Sequence, residues 1–281
     1  MSDQILIHNG KVVLTTEEGQ KLERSESLLL NMLRGEYLPP LNGTAFPDGV
    51  KFHEWRDPFL LVVHQTPPHV RQMRWIANDS PKRFGPGTKY RKVRLSIPYS
   101  ITFAIFCHQG TGLFIGGANE LYFLNEPLRT RDDNLCFPAL LNISRIKTPK
   151  RDRAWICTQY LRWLPEDDWT RQLHALLDHI WNGGFNLSSE DHEGASWYGE
   201  SKGVHANLHP VEKWEAATKA NDAFALGLPW KPAPHTVGDL MDIMLEEHSA
   251  GLAIVAAQPH AKKKPSLVQR FLNYAQKNPQ A

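Results

Sequence analysis

Tyr90-Arg91-Lys92-Val93-Arg94-Leu95-Ser96-Ile97 alternates polar and apolar side chains and sets Val93, Leu95 and Ile97 on one face. A period of two over eight residues is the pattern of a strand with one buried face. The same pattern continues outward on both sides. Upstream, Phe59-Leu60-Leu61-Val62-Val63 is an apolar run, and residues 70–77 alternate around Met73, Trp75 and Ala77. Residues 78–88 hold Asn78-Asp79-Ser80-Pro81 and Gly85-Pro86-Gly87, which read as a turn. Downstream, residues 100–106, 112–115 and 121–124 complete about six short strands separated by turns. Consecutive short strands joined by short turns predict an antiparallel meander over about residues 59–125.

Before the strands, Ile5-Leu6-Ile7 and Val12-Val13-Leu14 flank Asn9-Gly10, a hairpin signal. Residues 25–34 read as a helix through Leu28, Leu29, Met32 and Leu33, stopped by Gly35; residues 35–50 read as a loop. After Cys157, Trp169, Leu173, Leu176, Leu177, Ile180 and Trp181 recur at helical spacing up to Gly183-Gly184. Residues 183–210, rich in Gly, Ser, Asn and His, read as a long loop. Three further helices are expected. One spans 211–226. One spans 236–247, opening on Thr236-x-x-Asp239. The last spans 266–276, opening on Ser266-x-x-Gln269 after Lys262-Lys263-Lys264. The order predicts an α+β fold, an antiparallel meander sheet with helices on one face. Its expected parts are an N-terminal hairpin and helix (1–58), a core (59–210) and a helical C-terminal extension (211–281).

The chain has 281 residues, 41% of them hydrophobic and 22% charged, the balance of a folded soluble domain. A formal net charge of +2 supplies no global attraction to nucleic acid or to a membrane surface. No stretch reaches 18 apolar residues and the first 30 lack a signal-peptide core, so no membrane partner is expected. Three cysteines, Cys107, Cys136 and Cys157, are too few and odd in number for a disulfide framework, which points to a reducing cytoplasm.

Cys157 is the residue with the most chemistry around it. Phe137-Pro138-Ala139-Leu140-Leu141-Asn142-Ile143 precedes it, and Trp163, Trp169 and the amphipathic helix follow. Other pieces lie in a fixed order: Thr66-Pro67-Pro68-His69-Val70-Arg71, Arg94-Leu95-Ser96-Ile97-Pro98-Tyr99, Leu121-Tyr122-Phe123 with Pro127-Leu128, Leu135-Cys136-Phe137-Pro138, and Trp181-Asn182-Gly183-Gly184-Phe185 with Ser188-Ser189. Over roughly residues 50–200 this order resembles the bacterial branch of the ubiquitin-conjugating-enzyme superfamily, and within it the protein B family of the PRTRC system, a mobile-element gene set. The resemblance implies a ubiquitin-conjugating or RWD-like core. It also implies a thioester carried on Cys157, an oxyanion-stabilising role for Asn142, and two partners: an activating-enzyme-like protein and a small ubiquitin-like modifier. No cofactor and no metal is implied. The chain departs from the superfamily's His-Pro-Asn, reading Pro138-Ala139-Leu140-Leu141-Asn142, and inserts a basic segment, 147–153, before the cysteine. Both departures favour the alternative, an inactive adaptor that keeps the fold within a plasmid- or phage-encoded complex.

The residues leave further alternatives open. A free cysteine is more often a buried core residue than a nucleophile. A thiol protease would pair Cys157 with His174 or His179. His205-x-x-x-His209 has a zinc-compatible spacing but no accompanying cysteine pair. His192, His205 and His209 lie in the long loop with Glu190, Asp191 and Glu193, and that loop would flank a thioester and position the acceptor amine. Lys147, Lys150, Arg151 and Arg153, with Pro149 among them, read as a mobile basic loop for an acidic protein partner; as a nucleic-acid patch they lack interleaved aromatics. The Met241, Met244 and Leu245 face and the 266–276 helix are candidate docking surfaces for protein partners.

Overall fold

The computed structural model describes residues 4–8, 11–15, 21–25, 46–109, 112–159, 161 and 168–256. Its strands are β1 (Gln4–His8), β2 (Lys11–Thr15), β3 (Lys21–Ser25), β4 (Val50–Arg56), β5 (Phe59–Thr66), β6 (His69–Ile76), β7 (Tyr90–Ile97) and β8 (Tyr99–Gln109). They continue with β9 (Gly112–Ile115), β10 (Glu120–Leu124), β11 (Asn134–Cys136), β12 (Ile143–Lys147), β13 (Asp152–Ile156), β14 (Gly184–Phe185) and β15 (Pro232–Thr236). The longer helices are α1 (Trp169–Asn182), α2 (Val211–Ala220) and α3 (Val237–Ala256). The expected helices at 25–34 and 266–276 lie outside the described residues, apart from Ser25, which ends β3. The 9–10 turn is likewise undescribed, but β1 and β2 pair antiparallel in the register that a two-residue connection requires, His8 opposite Lys11.

The chain is α+β with a mainly antiparallel sheet, but the expected simple meander is not what forms. The large sheet runs β12-β13-β10-β8-β5-β4, with β9, β11 and β15 attached at its margins. β5 pairs with β8 through eight registered positions, from Phe59 opposite Cys107 to Thr66 opposite Ser100. The intervening β6–β7 hairpin leaves this sheet and joins β14 in a separate three-stranded one. Prolines explain the excursion. Pro67 and Pro68 follow β5 and Pro98 precedes β8, so the chain loses ladder donors where it leaves and where it returns. Alternation reports that a segment is a strand; it does not report its partner.

Helices also cover both faces of the large sheet rather than one. Seven successive residues of β5, Phe59 to Gln65, are buried, which requires cover above and below. Successive strand residues face opposite ways. On one face Phe106, paired with Leu60, meets Trp169 of α1, ring centroids 5.9 Å apart. On the other face Phe59 meets His248 of α3 at 5.4 Å. α1 starts where Asp168 accepts a hydrogen bond from the Arg171 N–H at 2.8 Å. α3 starts on the expected reciprocal cap: the Asp239 N–H donates to Thr236 Oγ1 and the Thr236 N–H to Asp239 Oδ2, each at 3.1 Å. It runs beyond the expected end at Glu247.

α2 covers an open strand edge. β7 pairs with β6 on one side; on the other, its Arg94 N–H donates to Glu215 Oε1 (3.0 Å) and its Ser96 N–H to Thr218 Oγ1 (2.9 Å). Trp214 Nε1 donates to the Ser96 carbonyl at 3.2 Å. Helix side chains thus occupy ladder positions that another strand would otherwise seek. Met241, Met244 and Leu245 are fully buried in the same hydrophobic core as Leu60 and Phe103. That face is therefore interior and not an open docking surface. Residues 183–210 form β14 and several single helical turns rather than one long loop, pinned by buried Trp197 and Tyr198. Among the described residues no helix is long and apolar enough to cross a membrane.

Candidate functional site

β13 ends at Ile156, and the next residue, Cys157, opens onto a cavity of about 260 Å³. Asn142, immediately before β12, lines the same cavity, as do His179 of α1, Asn186, His192 and Glu193. Two residues 15 positions apart in sequence meet because the β12–β13 hairpin folds Ile143 opposite Ile156. Parallel pairing of β14 with β6, Gly184 opposite Arg74, supplies the next wall. Gly184 has no room for a side chain: a Cβ there would lie 2.6 Å from the Tyr90 ring. Cys157 is partly exposed, so it is not the buried core cysteine of the alternative reading.

Hydrogen bonds at the cavity wall set what each group can do. Asn142 Nδ2 donates to the Ile180 carbonyl at 2.9 Å, which ties the approach to β12 onto the end of α1. Its Oδ1 is buried without a partner. His179 Nε2 lies 2.7 Å from the Cys157 carbonyl oxygen; a carbonyl only accepts, so this nitrogen carries the proton. The imidazole therefore fixes the Cys157 backbone and does not serve the thiol through Nε2, which argues against a thiol-protease pair with His179. His174 is exposed on α1 and outside the cavity wall. Glu193 lies 3.2 Å from the Ser144 hydroxyl, which is also 2.9 Å from Ser189 Oγ. Loss of the Asn142 amide in Asn142→Ala is expected to lower stability by about 1–2 kcal/mol, read by urea denaturation, through the lost bond to Ile180.

Two of the segments that supply lining residues, around Phe84 and His192, are tied to each other. Arg83 Nε lies 3.0 and 2.9 Å from the Asp191 carboxylate oxygens, and the Leu187 N–H donates to the Arg83 carbonyl at 3.1 Å. Phe84 sets its ring against His192, centroids 4.8 Å apart. Of the loop residues expected to flank the thioester, His192, His205 and His209 with Glu190, Asp191 and Glu193, the structure brings only His192 and Glu193 to the wall of the Cys157 cavity. His205 and His209 go elsewhere: His205 Nδ1 accepts from the Asn207 N–H at 3.1 Å, and His209 lies against Tyr198. Asn186 and Phe84 line the cavity and were not anticipated, since nothing local marks them; only the fold brings them there.

The basic segment differs most from expectation. Residues 147–153 are a β-hairpin turn and not a mobile loop: the Thr148 N–H and hydroxyl both donate to the Arg151 carbonyl, at 2.9 and 2.8 Å. Arg151 has no exposed side-chain surface. It donates from both terminal nitrogens to Glu120, each bond 2.7 Å, and reaches Glu247 of α3 at 3.0 Å. Arg153 Nε donates to the same Glu120 at 2.8 Å. Arg151 is thus a core residue and cannot bind a partner, and Arg153 is committed to Glu120; Lys147 and Lys150 remain at the exposed end of the hairpin. Burial alone would raise the Glu120 carboxyl, but the Arg151 hydrogen bonds and the Arg151 and Arg153 charges hold it below its ordinary range. Burial and the Glu120 charge push the Tyr122 phenol well up.

Comparison with protein-family models, with curated proteins and with solved structures finds no match to this chain.

Proposed function

We propose that the protein is a ubiquitin-conjugating-like acyl carrier that holds a small ubiquitin-like modifier as a thioester on Cys157. The observation that supports this is the shared cavity: the partly exposed residue Cys157 and Asn142, linked by the β12–β13 hairpin, line one space with His192 and Glu193. The step would be transthioesterification. Cys157 Sγ, as thiolate, attacks the carbonyl of a modifier thioester on an activating enzyme. The new S–C bond forms, the old one breaks, and the departing thiolate takes up a proton. No net oxidation occurs, and a free thiol of this kind is kept reduced in the cytoplasm.

The test combines the protein with an adenylating activating enzyme, ATP and a ubiquitin-like modifier from the same genome. A thiol-sensitive adduct on non-reducing gels is expected, and it is lost completely in Cys157→Ala. Absence of any adduct with the wild-type chain would end this reading. A second reading, a non-catalytic adaptor with the same fold, is favoured by one observation: Asn142 Nδ2 already donates to Ile180. If Asn142 nevertheless stabilises the oxyanion, Asn142→Ala slows transfer by about 10²–10³-fold; an unchanged rate assigns Asn142 to structure alone.

A further inference from the structure

Leu6 and Ile7, adjacent on β1, are 63% and 51% exposed, the large hydrophobic side chains that stand most open among the described residues. Neighbouring strand residues point to opposite faces, so β1 shows an exposed apolar side chain on each face, although Val12, opposite Ile7 on β2, is wholly buried. β1 is also an edge: it pairs with β2 and with nothing else among the described strands. The opposite edge of this small sheet, β3, reads Lys21-Leu22-Glu23-Arg24-Ser25 and carries three charges, with Glu23 and Arg24 exposed. Charges at an edge discourage further strand pairing. β1, Gln4-Ile5-Leu6-Ile7-His8, has no proline, lysine, arginine or carboxylate. One edge is guarded and the other is not.

We propose that β1 is a self-association edge that pairs antiparallel with β1 of a second copy of this chain. The order of the residues in β1 fits a second copy of itself. Centred on Leu6, the strand reads nearly the same in both directions. A two-fold pair sets Leu6 opposite Leu6 of the second copy, Ile5 opposite Ile7, and Gln4 opposite His8. A closed dimer requires such self-complementarity, because each contact must occur twice with roles exchanged. No carboxylate, lysine or arginine meets its like across the axis, and the apolar positions coincide. The result is a continuous six-stranded sheet, β3-β2-β1 with its symmetry copy. Five residues of strand span only about 17 Å, so the contact is small and the dimer is weak and concentration-dependent.

Sedimentation equilibrium of the full chain across a wide concentration range tests this. The average mass is expected to rise from the 32.0 kDa of one chain towards twice that value. Leu6→Lys/Ile7→Lys is expected to stay at one chain mass throughout, with an unchanged far-UV spectrum and melting temperature. In a Cys157→Ser background, Leu6→Cys is expected to give a disulfide-linked dimer under mild oxidation. Ile7→Cys is not, because its copy lies two residues along the partner strand, beyond disulfide reach. A wild-type chain that stays monomeric overturns the proposal, including the case in which slow amide exchange shows β1 covered by its own chain. So does a dimer that survives the double lysine substitution, or cross-linking at position 7 equal to that at position 6.

Discussion

Glu120→Ala is expected to cost about 3–5 kcal/mol of folding stability, because it leaves Arg151 buried with its main counter-charge gone. Both side chains have zero exposure. Glu120 accepts from Arg151 twice, from Arg153 and from the Tyr122 hydroxyl at 2.7 Å, so one carboxylate satisfies donors from β10, β13 and the hairpin turn. Arg151 also reaches Glu247, which ties α3 to that hairpin. A melting temperature lowered on the order of 10 °C is the corresponding readout for a domain of this size. A double cycle with Arg151→Met should be strongly non-additive, since once the carboxylate is gone the buried cation is the liability. Glu120→Ala together with Arg151→Met costing the sum of the single changes would show that the two do not act as a pair.

The same cluster gives a pH dependence of defined sign. Against burial, which raises it, the Arg151 and Arg153 guanidinium groups hold the folded-state pKa of Glu120 below the ordinary carboxylate value. A depressed carboxylate contributes stability that is present above the unfolded-state pKa and is lost as pH falls through the folded-state value. Wild-type stability should therefore decline below about pH 4.5. Glu120→Gln, already less stable at neutral pH, should decline less steeply there. Parallel curves for the two proteins from pH 6 down to pH 3 would remove Glu120 from the acid limb.

Trp214→Ala is expected to cost about 3–5 kcal/mol. Trp214 is wholly buried on α2, and its indole donates to the Ser96 carbonyl on β7. Ser96 is a junction: its N–H donates to Thr218 Oγ1, and its hydroxyl accepts from the Ala225 N–H at 3.1 Å. Truncation at Trp214 opens a large void beside Trp230, whose ring centroid lies 6.1 Å away, and exposes an edge of β7. Trp214→Phe keeps most of the volume but loses the indole donor, so it should fall between wild type and Trp214→Ala. A loss under 1 kcal/mol for Trp214→Ala would show that residues after 210 are an appendage and not part of the core.

The features of this fold differ in how far each could be read from sequence. The strands at 59–66, 69–76 and 90–97 were legible because apolar side chains at a period of two need only their own neighbours to declare a face. The Thr236–Asp239 cap was legible because its hydrogen bonds close within four residues. The role of 211–245 was not, since helical apolar positions look the same whether they face the chain's own sheet or a partner. The basic segment shows the same limit from the other side. Arg151 and Arg153 sit in a run that looks solvated, and what buries them is a carboxylate about 30 residues earlier in the chain. Within the candidate site, Cys157, Asn142 and His192 could be nominated by residue type, whereas Asn186 and Phe84 carry no local mark.

Sequence by itself determined the α+β class, the positions of most described strands, the turns at prolines and glycines, and the Thr236–Asp239 cap of α3. All of these follow from steric and hydrogen-bonding rules that act over a few residues. Tertiary structure alone decided that β5 pairs with β8, that the β6–β7 hairpin leaves the sheet, that Arg151 lies inside, and that Cys157 shares a cavity with Asn142 and Glu193. Each of those depends on contacts between segments distant in the chain. There the outcome is set by which surfaces can be buried together and which buried charges can be paired, a competition that no single segment encodes.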